Sequence, residues 1–505
     1  MRGLRKRLGL LAKRLLEHAV TGEPSSWSVR CGRRLLRMHP GLYLVYCYRT
    51  GRFRELLRTN RGKTPRSQFL QRLVRKAEEA CAVLDGKPLP VTQVVTHARC
   101  SFNDRVLLAF HSSANFDPAG YTVRSLALMK ALAGVNVQVT ACTRLGYPWD
   151  LIKHQSENRC EFSMVEGQRI YHFEDPARLF GGADSEYLDA YAQRLCDLAQ
   201  TKRVSVIHAA SNYLNGLAAA AAARRLRIGS VYEMRGLWHI TRASREPAFR
   251  STEWFAYIDA MEVEAARACD RVVVISQALK HWLLERGIEA EKIHVVANAA
   301  ELDALSSEQE LMGPAACEIA FTVGFIGSLT HYEGLDDLIR AVAALLPTLP
   351  DLRCIIVGDG TERRSLQRLA VELGCQRAVD FVGRVPRDRV ASYYQAIDVF
   401  PLPRRRFEVC ELVPPLKPLE VMAFKKALIV SDVAALAEMV EHERTGLIVP
   451  SEAPDALAAA ILRLQRDPDL RQRLAEAGRD WVVNKRNWNL NACQYLDMYQ
   501  QIGPE

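Results

Sequence analysis

The feature that most constrains this chain is a strand–helix alternation that begins at Arg105, pauses once, and resumes until about residue 482. The first run opens with RVLLAF, continues through the loop HSSANFDPAGY and enters the amphipathic segment TVRSLALMKALAG. The short apolar runs VNVQVTACT, VSVIHAA, SVYEM, RVVVIS and KIHVVAN follow, with helical stretches such as NGLAAAAAARRL between them. After LDALSSEQELMGPAAC, which reads as a linker, the alternation restarts at IAFTVGFIG. It then passes through RCIIVGDG, AVDFVGRV, IDVFPLP, KALIVSD and TGLIVP. Strands of four to eight residues alternating with helices predict mostly parallel sheets covered on both faces. Two such runs predict two doubly wound units, with ligands at the carboxyl ends of their strands.

A chain of 505 residues is too long for one ordinary core, which agrees with two units plus extensions. The ranges expected are a basic helical extension at 1–100, a first Rossmann-like domain at 101–312, a second at 313–482, and a closing helix at 483–505. The fold class expected is therefore α/β. Charge separates the extension from the rest: residues 1–100 hold 22 Lys+Arg and 6 Asp+Glu, a net of +16 within a total of +10. Leu4, Leu8, Leu11 and Leu15 recur at helical spacing among cations, which suits either an anionic membrane surface or a helix packed on its own protein. No apolar run approaches the roughly 20 residues of a membrane span. Lys13, Arg14 and Glu17 break the first twenty residues as a signal segment, so a cytoplasmic protein, peripheral at most, is expected. Thirteen cysteines without a C-x-x-C pair exclude a zinc ribbon and a disulfide framework. The basic extension carries no nucleic-acid module, and no nucleic-acid partner is expected.

The loops after the strands carry the chemistry-bearing residues. Most informative is FEVCELVPPLKPLEVMAF, residues 407–424, directly after IDVFPLP. Pro414 and Pro415 forbid a helix across its middle, and Lys417-Pro418 opens a new one. Lys417, Leu419 and Glu420 then sit on the first turn of a helix just beyond a sheet edge, where N–H groups and the helix dipole attract anions. Taken alone, such a glutamate is more often a dipole partner or capping residue. Gly327-Ser328 ends the first strand of the second run. Gly358-Asp359-Gly360 follows the next strand, but Arg363 stands where a third glycine would complete a dinucleotide fingerprint, which disfavours a nicotinamide enzyme. In the first run Gly120 lies in DPAGY, where a glycine permits close backbone approach or simply makes a turn. His208 ends VSVIH, and Glu233 and Arg235 end SVYEM; a histidine so placed is an acid, a base or a structural group. Asp467-Pro468-Asp469 reads as a helix start and not as a metal site.

These segments together resemble the retaining GT-B glycosyltransferases of family 4. The second run resembles the donor half through IGSLTHYEGLDDLI, IIVGDG, FVGRVPRDRVASYYQAIDVFPLP, LKPLEVMAF and TGLIVPSEAPDALAAAI. The first resembles the acceptor half through AGYTVRSLALMKAL, TRLGYPWD, YEMRGLW, VVVISQALKHWL and VVANAAEL. The resemblance implies a GT-B architecture, two Rossmann-like domains facing a central cleft, with the last helix returning to the first. It implies sugar transfer, with retention and without a metal or other cofactor, from a nucleoside-diphosphate-sugar to a glycan or lipid-linked acceptor. Glu420 then matches the ribose ligand, and Lys417 and its helix face the diphosphate. Gly120 approaches the transferred sugar, and Arg384-Val385 meet the nucleobase. Gly327, Ser328, Gly358 and Leu419 complete the donor side; Glu411 would orient the sugar and His208 a hydroxyl. Tyr121, Arg124, Glu233 and Arg235 are the acceptor-side candidates.

Three departures stand out. Glu411 and Glu420 enclose eight residues where the family has seven, so Leu412 occupies the usual acidic position. Ser328 and Glu333 stand where the family has its diphosphate-clasping Arg and Lys, which leaves that charge to Lys417, helix N-termini, Arg384 or Arg124. Ala210 replaces the second histidine of an H-x-H pattern. The ELVPPLKPLE spacing resembles a variant branch in surface-polysaccharide assembly. The alternative is an inactive sugar-nucleotide-binding scaffold of such an assembly.

Overall fold

A computed structural model describes residues 39–65, 67–89, 100–117, 119–300 and 320–502. The amphipathic segment at 4–20 and the linker at 302–317 lie outside them. Two sheets organise the chain. The first has eight strands in the order β3-β4-β2-β1-β5-β6-β7-β8. These are β1 (Arg105–Phe110), β2 (Gln138–Leu145), β3 (Phe162–Val165), β4 (Gln168–Phe173), β5 (Val206–Ala210), β6 (Gly229–Met234), β7 (Arg271–Val274) and β8 (Ile293–Val295). The second has six, ordered β11-β10-β9-β12-β13-β14: β9 (Thr322–Ile326), β10 (Arg353–Val357), β11 (Val379–Gly383), β12 (Val399–Leu402), β13 (Ala427–Ser431) and β14 (Leu447–Val449). The central pairings are parallel: β1 with β2 and β5, and β10 with β9 and β11. Their strands are continuous apolar runs because both faces are covered; all five residues of β5 and of β13 are buried. The β3–β4 hairpin, absent from the sequence reading, is the antiparallel edge of the first sheet.

By contacts the chain divides into two compact units. The first holds residues 1–118, 138–272 and 499–505, and the second 119–137 and 273–498. The basic extension is not loosely attached to the first unit. Its helices α1 (Pro40–Arg49), α2 (Phe53–Asn60) and α3 (Gln68–Leu84) pack against one another and on α6 (Glu253–Ala268). Lys76 of α3 is 2% exposed, and its ammonium lies 2.5 Å from Asp184, at the start of α5 (Asp184–Lys202). Tyr213 and Tyr257 donate their hydroxyls to the same carboxylate at 2.8 and 2.7 Å. Glu79 accepts the backbone N–H groups of Asp184 and Ser185, which satisfies two of the free donors at that helix start. On the other side Trp254, in α6 (Glu253–Ala268), packs against Tyr48 and Phe53 at ring distances of 5.1 and 5.0 Å. Between β1 and β2, α4 (Gly120–Gly134) clusters with the second unit.

Candidate active site

In the second unit the predicted donor-side residues follow the carboxyl ends of β9, β10, β11 and β12. Backbone meets backbone there: the Gly327 N–H donates to the Val357 carbonyl at 2.9 Å, and the Gly358 N–H to that of Gly383 at 2.8 Å. Gly358 has φ +131°, and a Cβ on it would lie 1.8 Å from the Gly327 carbonyl oxygen. Only glycine fits. Gly327 in turn has φ +154°, and a Cβ there would lie 2.2 Å from the Lys417 side chain. The lysine thus runs flat over the end of β9, with its ammonium 4.8 Å from the centre of the Phe325 ring.

Lys417 opens the short helix α7 (Lys417–Ala423), with Pro418 in its first turn as the sequence predicts. Its ammonium donates to Glu333 at 2.9 Å. Glu333 is 3% exposed and also accepts from Arg404, at 2.8 Å from Nη2 and 3.2 Å from Nε. Burial alone would raise the Glu333 carboxyl; Arg404 and Lys417 overcome it and hold the group down at about 2. Burial works against the Arg404 charge too, but Glu333 more than offsets it and raises the guanidinium further. Within this trio, two cations and one carboxylate leave a net charge of +1. Arg404 was not singled out from the sequence; its signal is the run Arg404-Arg405-Arg406 at the end of the strand IDVFPLP.

The remaining donor-side residues take distinct positions. Glu420 is exposed and accepts the Tyr394 hydroxyl at 2.7 Å. Tyr394 is fixed between Phe424, stacked at 4.5 Å, and Phe400 at 5.0 Å. Ser328 and Arg384 are exposed, Val385 is half-buried, and Leu419 is buried at 1%. Glu411 is half-buried; it accepts the Ala434 N–H at 2.6 Å and pairs with Arg406 at 3.3 Å. A Cβ at Gly120 would approach Leu416 to 3.3 Å. Tyr121 is half-buried beside it. Arg124 does not face outward. It is 3% exposed and donates to Asn298 at 3.0 Å, to the carbonyls of Val296 and Ala297, and to Tyr495 of the last helix at 2.9 Å. This position anchors a loop instead of offering a cation to a ligand.

In the first unit His208, Glu233 and Arg235 do come together, but in the interior. His208 is 1% exposed, with Nδ1 2.6 Å from the Tyr499 hydroxyl and Nε2 3.1 Å from the Glu233 carboxylate. Arg235 donates to that carboxylate at 3.0 Å. What reaches the surface beyond β6 is Trp238, 40% exposed, edge-on to His111 at 4.5 Å. Burial, with Arg144 nearby, holds the His111 imidazole well below its usual range, hence neutral.

Two families match the chain in sequence. Residues 119–299 match the glycosyl transferase 4-like domain, and residues 317–481 match glycosyl transferases group 1. The chain carries two glycosyltransferase domains, one 4-like and one of group 1. Among curated relatives of this glycosyltransferase is a D-inositol 3-phosphate glycosyltransferase of Corynebacterium urealyticum. It is 27% identical over 296 residues, 53% of this chain and 68% of the relative. The chain spans 63–68% of the lengths of the first three such relatives. Among solved structures, sucrose-phosphate synthase from Thermosynechococcus elongatus superposes with a TM-score of 0.60 at 22% identity. Anabaena HepE in complex with UDP does so at 0.59 and 17%. The two cover 79% of this chain each, and 99% and 100% of their own. They share its fold.

Within this glycosyltransferase the second unit can present one fixed ammonium, a tyrosine-braced carboxylate and closely packed glycine backbone at one sheet edge. That is suited to an anion carrying hydroxyl groups. Tyr394, which braces Glu420, and the Trp238–His111 pair were not read from the sequence. Nothing in their local patterns sets them apart from core aromatics.

Proposed function

We propose that the chain transfers a sugar, with retention and without a metal, from a nucleoside-diphosphate-sugar to a glycan or lipid-linked acceptor in surface-polysaccharide assembly. The observation that carries this is the Lys417 ammonium pinned by Glu333 beside Gly327, at the carboxyl end of the second sheet. A departing diphosphate is an anion, and a charge already positioned for it needs no reorganisation during the reaction. Glu333 occupies the place of a family lysine, yet Arg404 offsets its charge, so the Lys417 charge is not cancelled by it. In this reading Glu420, braced by Tyr394, accepts ribose hydroxyls, and Arg384-Val385 lie against the base. HepE, which shares this fold, is solved in complex with UDP, which supports a nucleotide as ligand.

The test is calorimetric titration of UDP and GDP into the full chain, followed by nucleotide release from the matching sugar nucleotides with and without EDTA. Lys417→Met is expected to weaken diphosphate binding by about 10- to 100-fold, the worth of a hydrogen bond to a charged group. Unchanged affinity in that variant would place the diphosphate elsewhere. Loss of activity with EDTA, restored by a divalent cation, would overturn the metal-free route.

A further inference from the structure

From Leu56 to Ala77 the chain carries seven Lys and Arg and no Asp or Glu. The fold uses three of them internally. Arg72 donates to the carbonyls of Ala177 and Arg178 at 2.7 Å each, Arg75 pairs with Glu186, and Lys76 is buried on Asp184. Arg58, Arg61 and Lys63 are different: all three side chains are exposed at the α2–α3 turn, and none pairs with a carboxylate of the described residues. The turn itself is ordered by local bonds, Asn60 to the Lys63 carbonyl at 2.9 Å and Gln71 to that of Pro65 at 2.7 Å. Phe69, in the first turn of α3, is 57% exposed. The helices that carry this turn are fixed to the first unit by the buried Lys76–Asp184 pair and the Trp254 cluster, so the cations and the ring are presented together.

We infer that the α2–α3 turn is a docking surface for anionic lipid, with Arg58, Arg61 and Lys63 against the headgroups and Phe69 entering the acyl boundary. The chemistry favours lipid over nucleic acid. Among the described residues Phe69 is the only exposed large apolar side chain at the turn, and they present no row of rings there on which successive bases could stack. Cations around one exposed ring suit a surface that is charged outside and apolar just beneath. The 38 residues preceding the described chain add ten Lys and Arg against two acids, a bias of the same sign. This inference does not depend on the reading of the transfer site.

The experiment is flotation of the full chain with vesicles of phosphatidylglycerol and phosphatidylcholine, against vesicles of phosphatidylcholine alone. Wild type is expected to float with the anionic vesicles only. The triple variant R58Q/R61Q/K63Q is expected to lose affinity by about 100-fold, roughly fivefold per cation near the surface. Phe69→Ser is expected to weaken binding with its salt dependence unchanged. These side chains hold nothing else in place, so the thermal midpoint of each variant should match wild type and exclude misfolding as the cause. The inference is overturned if wild type stays in the soluble fraction, or if it floats equally with neutral vesicles. It is also overturned if the triple variant binds within twofold of wild type, or if duplex DNA at equal phosphate concentration strips the protein from the vesicles.

Discussion

The Lys417 ammonium lies 2.9 Å from the carboxylate of Glu333, a residue 84 positions earlier that itself forks onto Arg404. Breaking one member of a buried ionic network leaves the others uncompensated, at about 3–5 kcal/mol. Glu333→Gln should therefore destabilise the second unit by that amount, because the Arg404 guanidinium is left buried without its charge partner. The double variant Glu333→Gln, Arg404→Met should recover much of the loss. Urea denaturation of the three proteins measures this; a single variant as stable as wild type would show that the network contributes nothing. Glu333 is held at about 2 against an ordinary 4.5, so its contribution is present above pH 4.5 and fades as pH falls towards 2.

Tyr394 braces Glu420 by one hydroxyl bond while its ring is held by Phe424 and Phe400. Tyr394→Phe keeps the stacking and removes only the brace. Expected is a loss of nucleotide affinity of about 3- to 10-fold, the worth of one hydrogen bond, with the thermal midpoint little changed. Glu420→Ala should lose more, and the two effects should not add, since the brace has no role without the carboxylate. Titration of nucleotide into the single and double variants gives the coupling directly.

Gly358 and Gly374 both have positive φ, +131° and +71°, but they differ in what surrounds them. A Cβ at Gly374 meets open space, so Gly374→Ala carries only the conformational cost of about 1–2 kcal/mol. A Cβ at Gly358 runs into the Gly327 carbonyl, which cannot rotate away as a side chain would. Gly358→Ala should cost clearly more in denaturant titration and displace the strand-end loop under Lys417. Equal losses in the two variants would mean that the close backbone packing is not required.

Much of this architecture is legible without coordinates, for identifiable reasons. Strands buried on both faces announce themselves as apolar runs, and RVLLAF, RCIIVGDG and IDVFPLP all become strands of the two sheets. The hairpin FSMVEGQRIYHF escapes that reading because its edge strand alternates exposed and half-buried positions and includes exposed Phe162 and Met164. Lys417 and Glu420 are marked by the Pro-Pro-Leu-Lys-Pro segment, which dictates where a helix begins. Their partners are not, because Glu333, Arg404 and Tyr394 are brought in by strand order and not by sequence proximity. His208 shows the reverse limit. Its place at a strand end is readable, but its burial between Tyr499 and Glu233 depends on residues 291 and 25 positions away.

The extension α1–α3 should behave as part of the first unit and not as a removable tail. Lys76→Met leaves Asp184 bonded to Tyr213 and Tyr257 but removes its cation, at about 3 kcal/mol on the scale of buried pairs. Deleting residues 1–95 also strips Trp254 of its aromatic neighbours and the start of α5 of its Glu79 cap. The deletion should lower the thermal midpoint well beyond the point variant. A truncated protein as stable as the full chain would show the extension to be an independent module.

Glu262 makes the first unit sensitive to pH near neutrality. It is 1% exposed, accepts from the Tyr232 hydroxyl and from the Tyr213 N–H at 3.3 Å, and is pushed up to about 7 by burial. A carboxyl raised above its unfolded value of 4.5 favours the folded state most when protonated. Its contribution is full below pH 4.5 and is lost as pH rises through about 7. A shift of this size corresponds to roughly 3 kcal/mol between the two limits. Stability of the first unit should therefore decline between pH 5 and pH 8. Glu262→Gln, which keeps an acceptor for Tyr232 and cannot ionise, should flatten that decline and exceed wild type at pH 8. Denaturant midpoints measured across that range decide it: parallel profiles for the two proteins would assign the pH dependence to another group.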